Sequence, residues 1–166
     1  TSVAIAAASD PAAAQVEAFY GALVETMKKG AELGVQGRYK ALTPATEAAF
    51  DLPGMAQLTV GPSWAGLAEG DRTAIQEAFA RLTLANYAKN FSSFAGENFS
   101  VDANVKMRNE DKLVETKLVE SDGKATPFNY RLHLVNGKWK VIDVFLDRKS
   151  TRLNSSHVSE SRMPSS

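Results

Sequence analysis

FNYRLHLVNGKWKVIDVFL, residues 128–146, contains two short runs around one Asn-Gly pair. Phe128, Tyr130, Leu132 and Leu134 recur at every second position, the period of a strand with one buried face. Asn136-Gly137 is a strong signal for a two-residue hairpin, and KWKVIDVFL, residues 138–146, is the returning strand. Working upstream, KLVETKLVE (112–120) reads as another strand, turned back at Asp122-Gly123. Before it, Phe99, Val101, Ala103, Val105 and Met107 alternate with Ser100, Asp102, Asn104 and Lys106, which predicts one continuous half-buried strand. The C-terminal half is therefore an antiparallel meander.

The N-terminal half has helical spacing. Asp10 can cap and Pro11 can open a first helix, with Val16, Phe19, Tyr20, Leu23, Val24 and Met27 on one stripe and Gly30 ending it. The following stretch is broken by Gly and Pro and predicts short pieces. Thr43-Pro44 opens one helix to Phe50; Asp51 caps another carrying Leu52, Met55 and Leu58 until Gly61-Pro62. A longer helix spans about Asp71 to Phe91, with Ile75, Phe79 and Leu82 on one face and Leu84, Tyr87, Ala88 and Phe91 on another. Helices followed by a meander define an α+β class, with a helical layer on a curved antiparallel sheet.

At 166 residues the chain fits one domain with a sizeable core. Nineteen basic and nineteen acidic residues, with no like-charge block, argue against a nucleic-acid surface. Absence of cysteine excludes disulfides, cysteine catalysis and thiolate metal sites. No run approaches the ~20 apolar residues of a membrane helix. TSVAIAAASD, residues 1–10, lacks an initiator Met and has small residues at A-x-A spacing, so residues 1–9 are expected to be a signal-peptide remnant.

At the other end, DRKSTRLNSSHVSESRMPSS (147–166) has no hydrophobic period. Asp147–His157 and Glu160–Ser166 can be encoded in one frame by the two constant arms of a common short-read sequencing adapter, with an index-sized gap between them. The tail is expected to be non-native, with the native C-terminal segment missing. Without its four basic and two acidic residues the balance is 15 against 17, and His133 is the remaining histidine.

Catalytic signatures are sparse. His133 alternates with Leu132 and Leu134, which places it on the outer sheet face without convergent partners in the sequence. There is no zinc-ligand spacing, dinucleotide fingerprint or phosphate loop, and the acids at 109–112 and 119–124 read as solvated turns. Asp143 shares the register of Trp139, Val141 and Phe145. If that register faces the helices, a carboxylate in an apolar cup could act as a base, as in cone-like folds related to nuclear transport factor and ketosteroid isomerase. Ile142 and Val144 make the opposite register equally apolar, so alternation alone leaves the inward face open.

Residues 37–99 carry a family resemblance: Gly37-Arg38-Tyr39, Phe50-Asp51-Leu52 with Met55, Val60-Gly61-Pro62-Ser63-Trp64, Phe79, and Tyr87-Ala88 before an aromatic-rich exit. In this order they resemble the MlaC, or toluene-tolerance, family, and the VGPSW and GRY forms are most similar to its hopanoid-associated subgroup, HpnM. The resemblance covers Asp10 to Phe145 and implies a single lipid-binding domain over 10–146, with an apolar cavity between helices and sheet. It implies a monomeric periplasmic carrier of phospholipid or a hopanoid-type lipid, without catalysis or cofactor. Its partners would be an inner-membrane ABC or export-pump transporter and an outer-membrane complex. The lipid-facing residues would be Leu52, Met55, Trp64, Phe79, Phe99, Val101, Val105, Met107, Phe128, Tyr130, Leu132 and Trp139. Periodicity does not distinguish such a cavity from a filled core. Two other readings stay open: an isomerase or hydratase using Asp143, and a periplasmic adaptor without ligand.

Overall fold

The computed structural model describes residues 10–146 and 151–152. The expected signal remnant at 1–9 lies outside the described residues. So does the expected adapter-derived tail, apart from Thr151–Arg152, which pair with Phe145 and Leu146.

Four α-helices precede the sheet: α1 Pro11–Lys28, α2 Gly30–Ala49, α3 Leu52–Val60 and α4 Glu69–Asn90, with a 3-10 helix at Gly61–Gly66. The strands are β1 Asn98–Val101, β2 Lys106–Arg108, β3 Asp111–Val119, β4 Ala125–Val135, β5 Lys138–Leu146 and β6 Thr151–Arg152. They form one antiparallel sheet in the order β1-β3-β4-β5-β6, with β2 also on β3. The α+β expectation holds.

Helix α1 starts as its sequence dictates. Asp10 Oδ1 accepts from the Ala12 N–H at 2.8 Å, and Pro11 occupies the first turn. Asp10 also accepts from Lys112 Nζ on β3 at 3.2 Å, while that ammonium lies 4.7 Å from the Trp139 ring centre on β5. Gln15 Nε2 donates to the Trp139 carbonyl at 3.0 Å. The first turn of α1 is thus tied to β3 and β5, and Phe19, Tyr20 and Leu23 are buried behind it. Each such large apolar side chain contributes roughly 1.5–3 kcal/mol.

Two helical expectations are corrected. α1 ends at Lys28, just before Gly30 as expected, but no broken stretch follows: Gly30 itself begins α2, buried so closely against the Ser92 carbonyl that a Cβ would collide with it. Pro44 does not open a helix. α2 continues through it for 20 residues, and its interruption is at Gly34, with φ 72° and ψ 173°. Burial overrides the proline: Leu42, Thr46 and Ala49 face the interior on either side of it. Thr43 Oγ1 donates to the Tyr39 carbonyl one turn back.

The strand expected over 99–107 is split. Val101 pairs with Thr116 but Lys106 pairs with Leu113, so five residues of this strand pass three of β3. The excess loops out after Asp102, whose N–H still donates to the Glu115 carbonyl at 2.9 Å and whose carboxylate accepts from the Asn104 N–H at 2.9 Å. Met107, read as inward, is 62% exposed.

β5 contains the decisive irregularity. Leu132 pairs with Val141 and Arg131 with Asp143, leaving Ile142 as an extra residue in a bulge. Val141 and Val144 are both buried against the helices, the latter opposite Tyr130. Asp143 shares the face of Arg131, so it is not in the helix-facing register that a buried base would require. The bulge is where the helical half attaches: Asp51 N–H donates to the Val141 carbonyl at 2.9 Å, next to an isolated parallel bridge between Phe50 and Val141.

Candidate functional site

Between helices and sheet lies a closed circuit of six aromatic rings. Tyr20 stacks on Phe99 at 4.4 Å between centres, Phe99 meets Phe91 at 6.3 Å and Phe91 meets Tyr87 at 5.6 Å. Tyr87 reaches Phe50 at 6.0 Å, Phe50 reaches Phe19 at 5.0 Å, and Phe19 returns to Tyr20 at 6.2 Å. α1, α4 with its C-cap Phe91, the α2–α3 junction and β1 each supply members, so the circuit joins both layers. Edge-to-face and offset contacts of this kind add about 0.5–1.5 kcal/mol each beyond burial.

A hydroxyl chain runs from this circuit into the sheet. Tyr20 Oη lies 2.7 Å from Thr116 Oγ1 and 2.6 Å from Tyr130 Oη, and Thr116 Oγ1 donates to the Phe128 carbonyl at 2.9 Å. Each hydroxyl has one proton. Because Thr116 donates to Phe128, it accepts from Tyr20; Tyr20 must therefore accept from Tyr130. The direction Tyr130 to Tyr20 to Thr116 to Phe128 is fixed, and each proton is committed.

Burial is the main influence on these phenols. It pushes the Tyr20 hydroxyl up to about 12, against the smaller opposing effect of its bonds to Thr116 and Tyr130. Tyr87 is pushed far higher by burial and then by the nearby Tyr20 phenol. Tyr130 is likewise raised by burial, by the Tyr20 and Tyr87 phenols, and by its hydrogen bond to Tyr20. All three are neutral at physiological pH. The helix-facing side chains Val114, Thr116, Phe128, Tyr130 and Leu132 on β3 and β4 are neutral too. This interior can hold apolar groups and make neutral hydrogen bonds; it presents no ionised acid or base from these strands.

Two charged groups anchor its rim. Arg38 is buried, donating from Nε to the Ala88 carbonyl at 2.7 Å and from Nη1 to the Gly30 carbonyl at 2.6 Å. Ala88 is in the last turn of α4, where the helix dipole favours a cation. Asp51 Oδ1 caps α3 through the Gly54 N–H at 3.1 Å, while Oδ2 lies 2.8 Å from His133 Nε2. A Cβ at position 54 would strike that carboxylate and Ile142, which accounts for the glycine. His133 therefore has a partner that its strand context did not reveal. Asp143 is 5% exposed and its carboxylate accepts from the Val144 N–H at 2.9 Å.

Ten of the twelve expected lipid-facing residues fall in or against one hydrophobic core. Leu52, Met55, Phe79, Phe128, Tyr130 and Leu132 are within it, and Phe99, Val101, Val105 and Trp139 pack against it. Trp64 is buried outside that cluster, and Met107 is exposed. Sequence reasoning missed Tyr20, Thr116 and Tyr87 as a group; the available signal was hydroxyl-bearing residues on otherwise apolar stripes. Two surface grooves are also described. One of about 670 Å³ lies on the sheet face away from the helices, beside Lys106, Glu115, Lys117 and Asn129. Another of about 690 Å³ follows α2 at Val35, Tyr39 and Pro44.

A helical layer on an open antiparallel sheet, with a neutral aromatic interior between them, defines an α+β domain suited to apolar contacts. A family model described as MlaC protein matches residues 17–152, and the chain belongs to the MlaC family. No curated protein sequence matches it. Among solved structures, it is similar to the phospholipid-binding protein from Ralstonia solanacearum in complex with a phospholipid. The TM-score is 0.74 at 17% identity, covering 89% of this chain and 83% of that one, which establishes a shared fold.

Proposed function

We propose that this protein is a non-catalytic periplasmic lipid carrier. The observation carrying this reading is membership of the MlaC family with the fold of a protein seen bound to a phospholipid. The neutral interior supports it: acyl chains gain roughly 0.8 kcal/mol per buried methylene, without requiring a charged or catalytic group. The cargo is a phospholipid or a hopanoid-type lipid, the second suggested by the VGPSW and GRY forms that resemble HpnM. The carrier works as a monomer. It exchanges lipid with an inner-membrane ABC or export-pump transporter and with an outer-membrane complex. A-x-A spacing before Asp10 supports export to the periplasm.

Native mass spectrometry of the full chain purified from the periplasm tests the carrier, with extraction to identify the lipid. Lipid-sized adducts are expected, and their chemical class separates phospholipid from hopanoid. A folded protein that stays lipid-free after incubation with either class would count against carriage. Transfer assays between two vesicle populations, with and without purified transporter, test the partnership.

A further inference from the structure

Tyr87 differs from the other phenols of the interior. It is 4% exposed and its ring is held by Phe19, Phe50 and Phe91, yet its hydroxyl has no hydrogen-bond partner among the described residues. Tyr20 and Tyr130 have committed their protons to the one-way chain ending at the Phe128 carbonyl. Thr46 Oγ1 and Thr83 Oγ1, four residues before Phe50 and Tyr87, are also buried without a partner. Asn86 Nδ2, next to Tyr87, is a fourth such group, and all four lie on α2 and α4, which pack together. A buried hydroxyl without a partner is unfavourable, and a native interior retains few such groups.

We propose that the Tyr87 hydroxyl is an internal hydrogen-bond donor to an ester carbonyl of the bound lipid. The inference rests on the carrier reading and deepens it, by naming the chemical feature of the cargo that is recognised inside the protein. An ester carbonyl fits because the surroundings are apolar and the available groups are neutral. The Tyr87 ring is packed among Phe19, Phe50 and Phe91, so a phosphate there would lose its water against aromatic rings. Acyl chains beside the aromatic circuit would bring their ester ends to a donor that hydrocarbon alone cannot satisfy. The site thus favours diacyl lipids over lipids of equal length lacking the carbonyl.

The experiment is a competition for the delipidated full chain between diacyl phosphatidylglycerol and its dialkyl ether analogue with matched chains, read by native mass spectrometry. Wild type should prefer the diacyl lipid by roughly three- to tenfold, the range of one net hydrogen bond. In Tyr87→Phe, the ratio should fall to near one. With carbonyl-labelled diacyl lipid, the infrared carbonyl band should sit at lower frequency in wild type and return upward in the variant. The variant should melt no lower than wild type without lipid, because the lost hydroxyl had no protein partner. Equal binding of both lipids by wild type, or an unchanged preference in Tyr87→Phe, overturns this inference and leaves the carrier reading standing. Wild type binding neither lipid overturns this inference, and the carrier reading falls with it only if a hopanoid-type lipid also fails to bind.

Discussion

Asp51 and His133 are 82 residues apart in sequence, and their side chains meet at 2.8 Å across the junction of α3 with the sheet. The same carboxylate caps α3, so one residue fixes a helix start and its attachment to β4. Asp51→Ala removes both contacts and is expected to cost about 1.5–3 kcal/mol in urea unfolding. Asp51→Asn retains an oxygen for the Gly54 N–H and should lose less than half of that. Equal losses would assign the stability to the charge and remove the cap from the account.

The direction of the hydroxyl chain predicts an order of severity. Tyr20→Phe leaves Tyr130 with an uncommitted buried proton and removes the donor to Thr116, so about 1–3 kcal/mol should be lost. Tyr130→Phe removes only the first donor and should cost about 0.5–1.5 kcal/mol. Denaturant midpoints with unchanged slopes would measure both. A larger loss at Tyr130 would reverse the assigned direction.

Arg38 joins α2 to the end of α4 through two carbonyls. Arg38→Leu leaves both acceptors without their donor and is expected to cost about 2–4 kcal/mol. Arg38→Lys keeps the charge but cannot reproduce the fork, and should recover only part of the loss. Thermal unfolding of the three proteins tests this; full recovery by lysine would show that charge alone suffices.

Alkaline stability follows from the phenols. From an ordinary tyrosine value near 10, folding raises Tyr20 to about 12, Tyr87 further, and Tyr130 well above that ordinary value. Above pH ~10 the unfolded chain releases protons that the folded chain retains, so stability falls as pH rises. Below pH ~10 their contribution is fully present. Phenolate absorbance of these three should appear together with loss of near-ultraviolet circular dichroism. Their ionisation near pH 10 with the fold intact would contradict their burial.

The sequence is most legible where local chemistry and tertiary demand agree. Asn136-Gly137 forms its hairpin with both residues at positive φ, and Asp10-Pro11 starts α1. Pro44 misleads because burial on both sides carries α2 through it. β5 is ambiguous for another reason: apolar residues on both registers hide the extra Ile142, and the face that Asp143 takes, left open by alternation, depends on that one residue. The site was only partly visible. An apolar stripe predicts that Tyr20 and Tyr130 are buried; no local pattern joins hydroxyls 110 positions apart, or shows that Tyr87 is left out.

Strand β5 is therefore two half-strands in opposite phase, joined at Ile142. Deleting Ile142 would remove the bulge and keep Asp143 on Arg131 and Val144 on Tyr130, whereas pairing Ile142 with Arg131 would carry Asp143 to Tyr130 and Val144 to Asn129. In the deletion variant, unchanged nuclear magnetic resonance shifts for the β4 residues would report that the register is kept. An acidic interior lies one register step away from this neutral one, with every side chain unchanged. In this fold one unpaired residue, as much as side-chain identity, keeps the Asp143 carboxylate off the helix-facing side of the sheet.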